Sequence, residues 1–346
     1  MSSDSFSSRL VDWQKKHGRH DLPWQRTRDP YWVWLSEIML QQTQVVTVKD
    51  YFTRFVARYP SVADLAAAHE DEVLALWSGL GYYSRARNLH RAAQQVVHQH
   101  AGVFPKRAEL LQTLPGVGPS TAAAIASICF GERVAILDGN VKRVLTRHLG
   151  FAEDLAYKRH ETLLWHMAQE RLPCTSADMP TYTQAIMDLG AGVCTPKRPQ
   201  CEVCPVRSDC VAHAQDAVFS YPVKTRKLKR QTQSWWLLLA CTATGDVWLQ
   251  QRPHTGVWAK LYALPMFESV EALMGTVPAN YRAGLEHGEV LKHVLTHRDL
   301  YLHPITLWLP TRQALGEGQW VRANDWPQLG LPAPIRKLLE TLSRAR

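Results

Sequence analysis

The chain has 346 residues, enough for two domains of roughly 100–200 residues each. Hydrophobic residues make up 46% and charged ones 21%, which excludes general disorder, and the longest apolar run, over 235–241, is too short for a bilayer span of about 18–20 residues. Lys+Arg 40 against Asp+Glu 31 gives a net charge of +9, which favours a polyanionic partner. The start of the chain carries Asp4 among serines and no apolar core, so no secretory signal is expected and a cytoplasmic location is.

Residues 1 to about 215 read as helical. Apolar side chains recur at helical spacing in Val62, Leu65 and Ala66 and again in Val73, Leu74, Leu76 and Trp77, and nothing there alternates with period two. A helix over 106–113, a turn at Gly116-Val117-Gly118 and an Ala-rich helix over 122–128 make a helix–hairpin–helix spanning about 106–130. Five basic residues in the seven from 224 to 230, without an acid, mark a linker that is either a solvated connector or a phosphate-contacting arm. Beyond it the texture turns to strands. An apolar run over 235–242, a turn at Thr244-Gly245-Asp246 and a strand over 247–251 predict a hairpin, and 304–309 predicts another strand. Ile335, Leu338, Leu339 and Leu342 mark one face of a closing helix.

Seven cysteines without an export signal argue against a disulfide framework. Four of them run Cys194-x6-Cys201-x2-Cys204-x5-Cys210, and such short loops close at small entropic cost. Zinc and an iron–sulfur cluster both suit four thiolates, and the uneven spacing fits neither paired-CxxC zinc template well. Four protein ligands leave no open position, so a structural or DNA-positioning role is expected.

The glycines at 116 and 118 let the hairpin backbone approach a partner, and the helix that follows offers its amides to a nucleic-acid phosphate regardless of base. Two acids then stand out. Asp138 breaks an apolar run in Ile136-Leu137-Asp138-Gly139-Asn140-Val141, where an Asp is usually a turn or cap residue. Glu37 sits among the apolar side chains of 31–40, ahead of Gln41, Gln42 and Thr43, a setting that equally suits a buried structural Glu.

The helix–hairpin–helix, an Asp about twenty residues after it and the cysteine loop together resemble the endonuclease III superfamily of DNA glycosylases. Within that superfamily the chain is similar to the MutY-type adenine DNA glycosylases, through Leu22-Pro23-Trp24 and residues 34–44, 79–90, 114–118 and 136–144. The likeness is dense from about 22 to 210 and looser beyond 234. It implies a multidomain chain. A mainly α helix–hairpin–helix glycosylase domain over 1–220 would combine a six-helix barrel module with an iron–sulfur module at 194–210. A basic linker over 221–233 and an α+β Nudix-like domain over 234–346 would follow.

The resemblance also implies a chemistry. One 4Fe–4S cluster, in preference to zinc, would sit on Cys194, Cys201, Cys204 and Cys210. The partner would be double-stranded DNA with adenine opposite 8-oxoguanine or, less well, guanine, bound by a nucleoid-associated monomer that contacts no membrane. Glu37 would protonate N7 of adenine and help activate water, its carboxyl raised by Trp34, Ile38 and Trp24. Asp138 would stay ionised beside the sugar cation, a division of labour shared with glycoside hydrolysis. Asn140 would orient sugar or water, and Gln184 would contact the flipped base. Gln42 and Tyr82 would fill the vacated stack, with Leu40 and Thr43 against the neighbouring bases. Ser120 stands where bifunctional relatives carry a lysine; it cannot form a Schiff base, so an intact abasic site is the expected product.

In the C-terminal region Leu295-Thr296-His297 aligns with a Phe-Ser-His loop that reads 8-oxoguanine. Thr296 keeps the hydroxyl and His297 the ring, while Leu295 gives up an aromatic contact. Glu268 and Glu271, followed by Ala272-Leu273-Met274, do not supply the magnesium-binding glutamates of a Nudix hydrolase, so pyrophosphatase activity is not expected. Two other readings compete. Ser120 and the domain after the linker count against an endonuclease III-like pyrimidine glycosylase and lyase. The presence of both Glu37 and Asp138 counts against a non-catalytic iron–sulfur DNA-binding protein.

Overall fold

A computed structural model describes residues 5–225 and 229–344. Asp4, and Arg226, Lys227 and Leu228 of the basic stretch, lie outside the described residues. Contacts divide the chain into two units, residues 1–67 with 91–227, and residues 68–90 with 228–346.

The first unit is helical, as its periodicity predicts. Helix Pro119–Phe130 packs against Pro30–Leu40, Ala108–Leu111 and Met179–Asp188. Its alanines make that crowding possible: Ala122, Ala123, Ala124 and Ala126 are all buried, and small side chains let neighbouring helices approach closely. Asp29 caps Pro30–Leu40 by accepting from Tyr31 N at 2.8 Å, with Pro30 pre-set for the first turn. The helix expected over 106–113 is only Ala108–Leu111. The Glu132 carboxylate takes the Ala108 amide at 2.6 Å and so fixes the start, while Pro115 favours extended backbone just beyond.

The second unit is a mixed sheet with helices. Its strands are β1 (Gln231–Thr242), β2 (Val247–Gln251), β3 (Tyr262–Ala263), β4 (Met266–Phe267), β5 (Leu285–His287), β6 (Leu291–Val294), β7 (Arg298–Leu309) and β8 (Gln319–Val321). β1 and β7 run parallel, from Gln231 opposite Arg298 to Thr242 opposite Leu309. Residues 237–242 of β1 are buried without alternation, the mark of a strand covered on both faces. β2 returns antiparallel through a turn closed by Thr242 N to Asp246 O at 3.0 Å, so the expected hairpin is present. The strand expected at 304–309 begins earlier, at Arg298. Pro304 falls between the segment paired with β5 and the segment paired with β6, where that side of the ladder asks no N–H of it.

Helix Ala333–Arg344 buries Ile335 and Leu339 as its pattern predicts. Residues 68–90 join this unit through specific bonds, which a single boundary at the linker does not anticipate. Ser78 Oγ and Tyr83 OH each donate to Leu331 O at 2.8 Å, Arg87 Nη1 donates to Ala259 O at 2.8 Å, and Lys260 pairs with Glu70 at 3.0 Å. Among the described residues no helix is long and apolar enough to cross a membrane.

Candidate functional site

Helix Pro30–Leu40 surrounds Glu37 with Trp34, Leu35, Ile38 and Met39, none more than 2% exposed. Burial pushes the Glu37 carboxyl up to about 7, and the charge of Asp138 adds to the rise. Two pockets of the first unit meet at this residue. The smaller, about 200 Å³, is lined by Trp24, Gln25, Gln184 and Arg19 as well as Glu37. The wider, about 760 Å³, brings in Leu40, Gln42, Thr43, Ser120, Asp138 and Asn140.

Asp138 is the N-cap of helix Gly139–Leu149, accepting from Val141 N at 2.8 Å. It is therefore a cap residue and a pocket carboxylate at once. Asn140 Oδ1 accepts from Arg143 Nη2 at 2.8 Å, and the same nitrogen donates to Gly190 O at 2.7 Å while Arg143 Nε donates to Cys194 O at 2.8 Å. Gly190 lies in a π-turn, Leu189–Val193, a local widening often found at functional sites. A Cβ on Gly190 would lie 2.7 Å from Asn140 Cβ, so only glycine lets this turn pass so close to the helix start. Ser120 Oγ accepts from Leu137 N at 3.1 Å, which ties the hairpin's second helix to the residue before Asp138.

Gln184 Nε2 donates to Asp188 Oδ1 at 2.9 Å. Asp188 is 3% exposed and is held by Arg19 through Nε at 2.7 Å and the backbone N at 3.0 Å. With its NH2 turned to Asp188, the Gln184 amide has its carbonyl oxygen left for another partner. Gln25 differs. Both ends of its amide are buried and, among the described residues, neither has a hydrogen-bond partner. Gln25 and Arg19, which line the smaller pocket, and Asp188, which holds Arg19 and Gln184, are residues that sequence reasoning missed. Gln25 directly follows Leu22-Pro23-Trp24 and could have been suspected from that; the Arg19–Asp188 pair spans 169 positions, beyond any local pattern.

Gln42 and Tyr82 share an unexpected feature, left-handed backbone at φ 59° and 49°. Such a conformation costs a non-glycine residue about 1–2 kcal/mol and tends to collect at functional positions. Gln42 is exposed just past the end of its helix. Tyr82, 43% exposed, belongs to the second unit, where its hydroxyl lies 2.8 Å from Thr296 Oγ1. A pocket of about 480 Å³ in that unit is lined by Tyr82, Trp258, His293, Leu295, Thr296 and His297. Burial lowers the pKa of His293, whose ring lies 5.9 Å from that of Trp258. His303 instead stacks on Trp236 at 4.6 Å, a packing role. In the hairpin Gly116 (φ 78°) and Gly118 flank a buried Val117.

Cys194, Cys201, Cys204 and Cys210 line one common pocket. Arg147 Nη1 donates to Cys194 Sγ at 3.4 Å, and burial pushes the Cys204 thiol up to about 12. Four thiol donors around one pocket are the donor set that a 4Fe–4S cluster takes.

Three family descriptions match the chain. A helix–hairpin–helix description, HhH-GPD superfamily base excision DNA repair protein, matches residues 35–170; NUDIX domain matches 235–341; and iron–sulfur binding domain of endonuclease III matches 194–210. The adenine DNA glycosylase of Buchnera aphidicola subsp. Acyrthosiphon pisum is 34% identical over 99% of this chain and 99% of its own length. That of Mus musculus is 47% identical over 60% of this chain and 42% of its own. Among solved structures, a thermostable thymine-DNA glycosylase superposes with a TM-score of 0.54 at 28% identity, over 61% of this chain and 95% of that one.

Proposed function

Because the chain belongs to the adenine DNA glycosylases, within the HhH-GPD superfamily of base excision DNA repair proteins, we propose that it extrudes adenine paired with 8-oxoguanine, or less well with guanine, and hydrolyses its glycosidic bond. The protein carries one 4Fe–4S cluster, for which Cys194, Cys201, Cys204 and Cys210 are the ligands. The cluster, when bound, supplies iron–thiolate bonds that cross-link the 194–210 loop.

The extruded base enters the smaller pocket between Trp24 and Gln184. Glu37, protonated at its raised pKa, gives its proton to N7; the bond to the sugar breaks and its electron pair leaves with adenine. The Asp138 carboxylate, in the wider pocket, opposes the positive charge developing on the sugar. Water adds to the sugar and returns a proton to Glu37, restoring the starting state. Gln184 offers a carbonyl oxygen and Gln25 both a donor and an acceptor, which suits the amine and ring nitrogens along an adenine edge.

Ser120 has no amine to attack the sugar, so the strand stays intact. Thr296 and His297, with Tyr82 beside them, face the opposite base, and the hairpin amides hold backbone phosphate. The protein acts as a monomer at the nucleoid of the cytoplasm.

The observation that carries this reading is that Glu37 and Asp138 line one pocket, one carboxyl lifted by burial beside the other. The purified protein, incubated with an 8-oxoguanine:adenine duplex, should break only the adenine strand, and only after alkali. Breakage without alkali, or on the other strand, overturns it.

A further inference from the structure

The turn Gly79-Leu80-Gly81-Tyr82 takes three left-handed positions, φ 104° at Gly79, 72° at Gly81 and 49° at Tyr82. Glycine adopts the first two freely; Tyr82 does not, and such strain persists only where the surroundings over-determine it. The side chain in place to do this is Arg85, 7% exposed. Its Nη2 donates to Leu80 O and Gly81 O, both at 3.3 Å. The guanidinium carbon lies 5.3 Å from the Tyr82 ring centre and 5.2 Å from that of Trp77. Trp77 Nε1 adds a third bond to the turn, to Gly81 O at 3.0 Å.

We propose that Arg85 is a positioning residue that holds Tyr82 in the conformation in which it wedges into the duplex. The inference rests on the reading of Tyr82 as the residue that fills the vacated stack. One planar group grips the two carbonyls that precede Tyr82 and lies against its ring, so the strained backbone and the ring direction are set together. Burial draws the Arg85 pKa down to about 10, which still leaves the fork fully protonated at neutral pH. Lysine cannot reproduce this arrangement, because an ammonium has neither the flat face nor the fixed fork.

The test is a double-mutant cycle on the full chain. Single-turnover excision from an 8-oxoguanine:adenine duplex is measured for wild type, Arg85→Lys, Tyr82→Ala and the double variant, each rate normalised to cluster absorbance. Arg85→Lys should slow excision by about tenfold when Tyr82 is present and less than about twofold when it is Ala, since a positioning residue has nothing left to position. Equal slowing in both backgrounds makes Arg85 merely structural and overturns the proposal, as does no slowing at all. If Tyr82→Ala excises at the wild-type rate, the wedge reading itself fails and takes the proposal with it, a result distinguishable from the other two. Should Arg85→Lys melt below the assay temperature, Arg85→Gln, which keeps a flat donor but not the charged fork, takes its place in the cycle. Slowing that depends on Tyr82 then supports the proposal, and slowing that is equal in both backgrounds, or absent, overturns it.

Discussion

A carboxyl lifted to about 7 can both release and recover a proton near neutral pH, which is what Glu37 is asked to do. The protonated form is lost as pH rises through 7, so single-turnover excision should fall about tenfold per unit above pH 8. A flat profile between pH 6 and 9 removes Glu37 as the acid. The same shift bears on stability. A folded pKa above the ordinary glutamate value of 4.5 means that the stabilisation is complete below 4.5 and is lost as pH climbs through 7. Glu37→Gln should therefore abolish excision yet raise the melting temperature at pH 8, by roughly 2–4 °C for each kcal/mol relieved. Asp138→Asn keeps the helix cap, because Asn accepts from Val141 as Asp does, and removes the charge. DNA binding should survive while the rate drops roughly a hundred- to a thousandfold. Gln25→Leu, close in size but without the amide, should narrow the preference for adenine over purine, which lacks the amine, by about tenfold in competition assays. Glu37 and Asp138 were singled out in the sequence, but their own neighbours suited a buried structural Glu and a helix cap equally well, and only the resemblance joined them into one site. The place of Gln25 directly after Leu22-Pro23-Trp24 hinted at the pocket, but an amide unsatisfied at both ends is a property of the packed pocket and cannot be read from local sequence.

At the level of elements, the approach of the π-turn to helix Gly139–Leu149 sets where Asn140 stands. Gly190→Ala should drive its new methyl into Asn140, cost about 1–3 kcal/mol of stability and slow excision. Unchanged activity with normal cluster absorbance would show that Asn140 has no fixed place to lose. The elements with punctuated ends were readable in advance: the hairpin at Gly116 and Gly118, the β1–β2 turn at Gly245, the closing helix by its apolar stripe. Two others were not. Ala108–Leu111 is cut short by the carboxylate of Glu132, a partner 24 positions away, and β7 extends past its apolar core because β6 pairs with its polar end.

For the whole molecule, the net charge of +9 predicts that affinity for undamaged duplex falls steeply with added salt. The change of texture near 231 revealed where the sheet begins. It could not reveal that residues 68–90 join the same unit, because Leu331 and Ala259 receive their bonds as backbone carbonyls, which any sequence supplies. Deleting 231–346 should leave measurable excision from A:G duplexes but erode the preference for 8-oxoguanine. Hydrogen exchange over 68–90 should quicken at the same time, since their partners are gone; unaltered protection there would contradict the division into units.

That division also has a bearing on how the protein is made. Tyr83 leaves the ribosome 248 residues ahead of Leu331, the carbonyl it is to bond, so at about 5–20 residues per second the segment waits on the order of 10–50 s for its mate. Arrested nascent chains of graded length should thus show residues 68–90 open to protease until Leu331 has emerged.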